Sequence, residues 1–202
     1  MTKLLLATHN LGKIAEYRAL LADLPVQIVS LQEAGITLDV EETGVTFAEN
    51  AILKARSYAA LSGLWTWADD SGLEVDALGG APGVYSARYA GHGASDADRW
   101  RKLLADLAAL PNADPTAWTA RFRCVVALVG PDDSVHTTEG TLEGRIVPQP
   151  QGTNGFGYDP VFLVPEKGQT LAQLPADYKN LISHRGQAAA RARIVLGELL
   201  KG

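Results

Sequence analysis

Leu64 to Ala68 is an apolar run of strand character that meets two adjacent carboxylates, Asp69 and Asp70, followed by Ser71-Gly72. Ser-Gly after such a run is a turn signal, so the strand is expected to stop at the aspartates. Successive side chains of a strand point to opposite faces, and Asp69 and Asp70 can share one cleft only if the turn begins between them. The pair therefore fits one structural and one working carboxylate better than an acid–base couple. In an α/β fold the end of a strand is where ligands bind, and a carboxylate there can hold Mg²⁺ through oxygen or take a proton from water. A polar turn, with one aspartate capping the next segment, accounts for the same residues on local grounds.

Lys3 to Ala7 reads as a fully buried strand. It leads through Thr8-His9-Asn10-Leu11-Gly12-Lys13 into a helix with Ile14, Tyr17, Leu20, Leu21 and Leu24 at helical spacing, ended by Pro25. Strand, polar glycine-containing loop and helix present backbone N–H groups to an anion. Thr8 and Asn10 can bond phosphate oxygens, and Lys13 adds a point charge just inside the helix. The loop is not a Walker A motif, and a plain strand–helix connection capped by Asn10 is the competing reading.

Val26 to Ser30 is a second short strand, and Asp39-Val40-Glu41-Glu42-Thr43-Gly44 is an acidic loop. Such a loop is normally solvated; it gains a role if the fold brings one carboxylate against Asp70 to share a divalent cation. Thr46-Phe47-Ala48-Glu49 matches a capping box and opens a helix to about Leu61, with Phe47, Ala51, Ala55, Tyr58 and Ala59 as its apolar stripe and Gly63 ending it. Lys54 and Arg56 lie off the stripe, as solvated cations or as ligand contacts. Beyond the aspartates, Leu73 to Asp76 is strand-like, Gly79 to Gly83 is a turn-rich loop, and Asp96 to Leu110 reads as a helix capped by Ser95. Thr119 to Gly130 and Val135 to Val147 form a hairpin around Pro131 to Ser134. Gln151 to Pro160 then interrupts the pattern with three glycines, two aromatics and a carboxylate. Its glycines allow close backbone approach and its aromatics offer a stacking face for a base, or they simply pack in a hairpin or bulge loop. Val161 to Val164 is a further strand, Asp177 to Asn180 is helical, and His184-Arg185 open a final helix to Leu200.

The formal charge of −5 and the absence of basic runs argue against a non-specific nucleic-acid binder. A single cysteine, Cys124, excludes an internal disulfide framework and a cysteine-rich zinc site; its apolar neighbours mark it as a packed thiol. No apolar run reaches the ~18 residues of a membrane span, and no signal-peptide pattern opens the chain, so a cytoplasmic location is expected. The 202 residues suffice for one large domain or two intimate lobes.

Taken in order, these blocks resemble the inosine triphosphate pyrophosphatase family, which converts dITP, ITP and XTP to the monophosphate and pyrophosphate. The resemblance runs from Leu5-Leu6-Ala7-Thr8 through Glu41-Glu42-Thr43-Gly44, Phe47 to Ala55, Ala68 to Leu73, Gly79 to Gly83, Ser86 to Tyr89 and Gly155 to Pro160, to Ile182 to Gly186. It implies an α/β fold over residues 1–202, a long mixed β-sheet flanked by helices, with two lobes and a nucleotide cleft between them. By position it assigns Thr8, His9, Asn10, Leu11, Gly12 and Lys13 to the phosphates. Glu41 and Asp70 are assigned to Mg²⁺, with Asp70 also the proton acceptor. Ser71, Phe156, Gly157, Tyr158, Asp159, Lys179, His184 and Arg185 are implied substrate contacts, and Lys54 a further phosphate ligand. A homodimer is expected, with a small-molecule nucleotide as partner and neither nucleic acid nor membrane. Two departures stand out: Trp65-Thr66-Trp67 puts large aromatics where smaller aliphatics are usual, and His9 replaces a common glycine. A Maf-like pyrophosphatase for other nucleotides is the second enzyme reading. A nucleotide-binding regulator without turnover is the alternative of a different class, disfavoured by the joint presence of Glu41, Asp70 and Lys13.

Overall fold

The computed structural model describes residues 2–111 and 113–200. A mixed seven-stranded sheet in the order β2-β1-β3-β4-β5-β6-β7 runs through the chain, with helices completing an α/β architecture. Its strands are β1 (Thr2–Leu6), β2 (Val26–Ser30), β3 (Trp65–Val75), β4 (Thr119–Val129), β5 (Val135–Ile146), β6 (Phe162–Val164) and β7 (Gln169–Thr170). The helices are α1 (Leu11–Leu20), α2 (Phe47–Ser62), α3 (Asp96–Ala108), α4 (Ala176–Ile182) and α5 (His184–Leu199). β1 pairs in parallel with β2 and, through Leu4↔Trp65 and Leu6↔Trp67, with β3. Leu4, Leu5 and Leu6 are all fully buried, as expected of a parallel strand covered on both faces. β6 runs antiparallel to β5 and to β7.

One expectation is overturned here. No turn follows the aspartates: β3 continues through Asp69, Asp70, Ser71 and Gly72 to Val75. Pairing in the sheet outweighs the local Ser-Gly signal: β4 neighbours β3, whereas β1 pairs only with Trp65 to Trp67, and Gly72 is buried inside the strand. The Leu73 N–H donates to Ser86 Oγ at 2.9 Å. An uninterrupted strand keeps the alternation intact, so Asp69 and Asp70 point to opposite faces.

By contacts the chain divides into two compact units. The first comprises the chain up to Asp70, Cys124–Gly140 and His184 onward, and the second Ser71–Arg123 and Thr141–Ser183. The core of the first unit gathers Leu4, Leu6, Tyr17, Trp67 and Val126 with Ala188, Ala189 and Ala192 of α5. Trp67 meets the Tyr17 ring edge-on at 5.3 Å, so the unusual aromatic is an inward-facing core residue. The second unit closes over Leu73, Val75, Leu103, Leu107, Phe122 and Phe162. Each fully buried Leu or Phe contributes about 1.5–3 kcal/mol, so both units hold substantial cores.

Local signals set the helix ends. Asn10 Oδ1 accepts from the Lys13 N–H (3.1 Å) at the start of α1. Thr46 and Glu49 form the expected capping box of α2, and Gly63 closes that helix in the left-handed conformation. Ser95 caps α3, and α4 is longer than the four residues expected. No helix among the described residues is long and apolar enough to cross a membrane.

Candidate active site

In the first unit, Asp70 lies against α2. Asn50 Nδ2 donates to Asp70 Oδ2 at 3.0 Å, and Lys54 Nζ is 3.9 Å from Asp70 Oδ1. Lys54 also binds Glu42 Oε1 at 2.5 Å and donates to the Asp69 carbonyl at 2.7 Å. Burial pushes the Asp70 carboxyl above its usual range, against the pull of Lys54 and Lys13 and with help from the Glu42 charge. Burial alone would lower Lys54, but the Asp70 and Glu42 carboxylates outweigh it and hold the ammonium charged. The result is a carboxylate of raised basicity beside a fixed cation.

Asp69 faces the other way and is fully buried. Lys13 Nζ lies 2.9 Å from its Oδ2, Arg185 Nε 3.7 Å and the Cys124 thiol 3.7 Å. Arg185 is buried too, and its Nη1 donates to Glu16 Oε2 at 2.6 Å. Burial would raise the Asp69 carboxyl, but the Lys13 ammonium and the Arg185 guanidinium hold it well below the carboxylate range. Asp69 is thus a permanent anion against Lys13, in the first turn of α1 just after the Thr8–Asn10 loop.

That loop is partly self-satisfied. Thr8 Oγ1 accepts from the Asn10 N–H at 3.2 Å, and Asn10 caps Lys13. The Leu11 and Gly12 N–H groups make no hydrogen bond among the described residues, which leaves two first-turn donors at the N-terminus of α1. His9 is exposed, with Nε2 3.3 Å from the Leu38 carbonyl.

The second unit holds a different cluster. Asp159 Oδ2 accepts from Lys179 Nζ (2.5 Å) and from the Phe156 N–H (3.0 Å), and the Lys179 ammonium stands 4.9 Å from the Phe156 ring centre. Gly155, at φ +73°, passes so close that a Cβ would collide with Asp159 Oδ2. The Gly157 N–H donates to Asp96 Oδ2 at 2.7 Å, and the buried Tyr158 hydroxyl donates to the Ser86 carbonyl at 2.9 Å. The loop is therefore pinned while Phe156 stays partly exposed. Ser71, half-buried in β3, begins this unit.

Sequence comparison identifies the family to which this arrangement belongs. The sequence profile of the Ham1 family matches residues 4–194. The chain belongs to the Ham1 family. It is 50% identical over 197 residues to the dITP/XTP pyrophosphatase of Geobacter sulfurreducens, covering 98% of both chains. It is 46% identical over 198 residues to the dITP/XTP pyrophosphatase of Bacillus licheniformis, covering 98% of this chain and all of that one. The solved Ham1 protein of Coxiella burnetii superposes with a TM-score of 0.88 at 46% identity, over 98% of this chain and 100% of that one.

In this Ham1-family chain the residues read from the sequence fall into separate groups. Thr8 to Lys13, Asp70, His184 and Arg185 lie in the first unit, and Ser71, Phe156 to Asp159 and Lys179 in the second. Lys13 pairs with Asp69, the aspartate that the sequence reading leaves as the structural one of the two. Glu41 is exposed and makes no hydrogen bond or ion pair among the described residues, whereas its neighbour Glu42 is the carboxylate on Lys54 and in the field of Asp70. Lys54, off the apolar stripe, is largely buried, with its ammonium between carboxylates. Glu42 is the carboxylate of the acidic loop that the fold brings near Asp70, whereas Asn50, Glu16 and Asp96 carry no role in the sequence reading. Only Asn50 carried a signal, a polar residue one turn after Phe47 on the face that α2 buries.

Among the described residues no cluster of three or more His, Cys, Asp or Glu side chains could hold a metal on protein ligands alone. Mg²⁺ does not need one, because it commonly uses one or two carboxylates and takes the rest from water and phosphate oxygens. Asp70 with a carboxylate of the Glu41-Glu42 loop is an all-oxygen donor set of that kind, so the residues present fit the ion.

Proposed function

We propose that this protein hydrolyses non-standard purine nucleoside triphosphates, dITP, ITP and XTP, to the monophosphate and pyrophosphate in an Mg²⁺-dependent reaction. The observation that carries the reading is the buried Asp70, of raised basicity and flanked by Lys54, in a chain 46–50% identical along nearly its whole length to dITP/XTP pyrophosphatases.

A nucleoside triphosphate brings about four negative charges that a site must neutralise. The Leu11 and Gly12 N–H groups, Thr8, Asn10 and Lys13 are assigned to phosphate oxygens, and Lys54 approaches the same anion from α2. Asp70, with Glu41 by its place in the family pattern and Glu42 by its place at Lys54, would hold Mg²⁺. When bound, that ion supplies further charge neutralisation on the phosphates. Asp70 accepts a proton from the attacking water as a new P–O bond forms, and the P–O bond to departing pyrophosphate breaks. Lys13 and Lys54 stabilise the charge that develops on the oxygens.

Phe156 is assigned to stack on the base, with Lys179 and Asp159 fixing the loop that presents it. Inosine and xanthosine carry a 6-keto acceptor where adenine has an amino donor. Donors aimed at that position would be left opposed by adenine, which discriminates strongly. The homodimer and the cytoplasmic location belong to the same proposal; mass measurement in solution and cell fractionation check them.

A nucleotide panel with and without Mg²⁺, resolving pyrophosphate from orthophosphate, tests the reading. Metal-dependent pyrophosphate release from ITP, dITP and XTP, with little from ATP, is expected. Preference for modified pyrimidine nucleotides would favour the Maf-like alternative. Binding without product would make the chain a regulator.

A further inference from the structure

We propose that Asn50 is a positioning residue, whose amide holds the Glu41–Gly44 loop and the Asp70 carboxylate at one fixed spacing so that turnover depends on it. The inference rests on the reading of Asp70 as proton acceptor and goes beyond it in naming what aims that carboxylate.

Asn50 is fully buried, on the same face of α2 as Phe47 and Ala51. An apolar side chain would cost less there, because a buried amide is tolerated only when both ends are bonded. Both ends are. Asn50 Oδ1 accepts from the Gly44 N–H at 2.8 Å, and Nδ2 donates to Asp70 Oδ2 at 3.0 Å. A backbone N–H can only donate, so the oxygen of the amide must face Gly44 and the NH₂ must face Asp70. The orientation is chemically determined.

The loop side shows independent signs of a built contact. A Cβ on Gly44 would stand 2.7 Å from Asn50 Oδ1 and 2.7 Å from Glu49 Cβ, so only glycine lets the loop lie this close. The next two loop residues donate to the neighbouring helix side chain: Glu49 Oε2 accepts from the N–H groups of Val45 (2.7 Å) and Thr46 (3.3 Å). One turn further along α2, Lys54 holds Glu42. Three side chains of one helix thus anchor the acidic loop, and Asn50 and Lys54 also reach Asp70. Lys54 does so through a long flexible stem and a charge. Asn50 is short, buried and directional, which makes it the part that sets distance and angle.

The test compares wild type with Asn50→Ala, Asn50→Asp and Gly44→Ala. Asn50→Asp keeps an acceptor for Gly44 but turns an oxygen toward Asp70. Gly44→Ala displaces the loop and leaves the amide in place. Supporting values of kcat fall about 10- to 100-fold in all three, as for other residues that orient a ligating or reacting group, with KM for ITP and the far-UV spectrum retained. Amide exchange at Gly44 accelerates in Asn50→Ala, a readout that needs no substrate. Variants that melt earlier but keep wild-type kcat per folded molecule overturn the proposal, as does unchanged exchange at Gly44. Failure of wild type to release pyrophosphate from ITP would instead sink the assigned activity. The exchange result and the kcat comparison on whichever nucleotide is cleaved would still decide the role of Asn50.

Discussion

Lys13 Nζ lies 2.9 Å from Asp69 Oδ2, so the ammonium in the first turn of α1 rests on a fully buried carboxylate that points away from Asp70. The two adjacent aspartates thereby do different work. Asp69 is a fixed counter-charge for Lys13 and Arg185, and Asp70 is the carboxylate proposed to accept the proton. Continuity of β3 through both residues is what separates them.

Removing Asp69 leaves Lys13 and Arg185 short of a buried counter-charge. Asp69→Ala is expected to cost about 3–5 kcal/mol in denaturant unfolding. Because its folded pKa is depressed, Asp69 contributes stability that is present above the unfolded carboxylate value of ~3.9 and is lost as pH falls through the lower folded value. The denaturation midpoint of wild type should therefore drop below pH ~4, and that of Asp69→Asn should drop less.

Asp70 has the opposite sign. Burial raises its pKa against Lys54 and Lys13, so its charge costs stability as pH rises through the folded value, and the protein is favoured at pH below the unfolded one. Asp70→Asn keeps the acceptor for Asn50 and removes that charge. Its melting temperature at pH 7 should equal or exceed wild type, while turnover falls by about 10²- to 10⁴-fold. Near-normal turnover would exclude Asp70 as the proton acceptor.

Lys54→Met keeps the stem and deletes the ammonium between Glu42 and Asp70. Loss of a charged contact of this kind corresponds to about a tenfold to hundredfold fall in kcat/KM, read from steady-state kinetics on the cleaved nucleotide. The native Lys54 pKa is raised, so the stabilising charge is present throughout the neutral range and is lost only as alkaline pH rises through the folded value. Unchanged kcat/KM in Lys54→Met would assign Lys54 to structure alone.

Cys124 serves as a built-in probe of opening. Burial, with the Asp69 carboxylate second, pushes its thiol up to about 12, which leaves almost no thiolate at pH 8. A thiol reagent should leave the folded protein unmodified and label one equivalent in denaturant. Rapid labelling under native conditions would show that the Tyr17–Asp69–Cys124 core opens locally.

Much was legible from local residues alone. Thr46 and Glu49 cap α2, Asn10 caps α1, Ser95 caps α3, and the triple-leucine β1 is buried on both faces, because capping and burial patterns act over a turn or a few residues. The residue types proposed to carry the chemistry are also visible in the sequence, from Thr8 to Lys13 through Asp70 to Lys179.

Tertiary structure decided what those residues face. The Ser71-Gly72 signal was overruled by the place of β3 in the sheet beside β4, since pairing along a strand outweighs a local turn preference. Arg185, expected to touch substrate, is buried against Glu16 and Asp69, partners 169 and 116 positions away in the sequence. Lys54 was legible as a cation off an apolar stripe, but only folding surrounds it with Glu42 and Asp70. Propensity and patterning are short-range properties of the chain. Charge pairing, desolvation and carboxylate basicity depend on distances between segments that only the folded protein brings together.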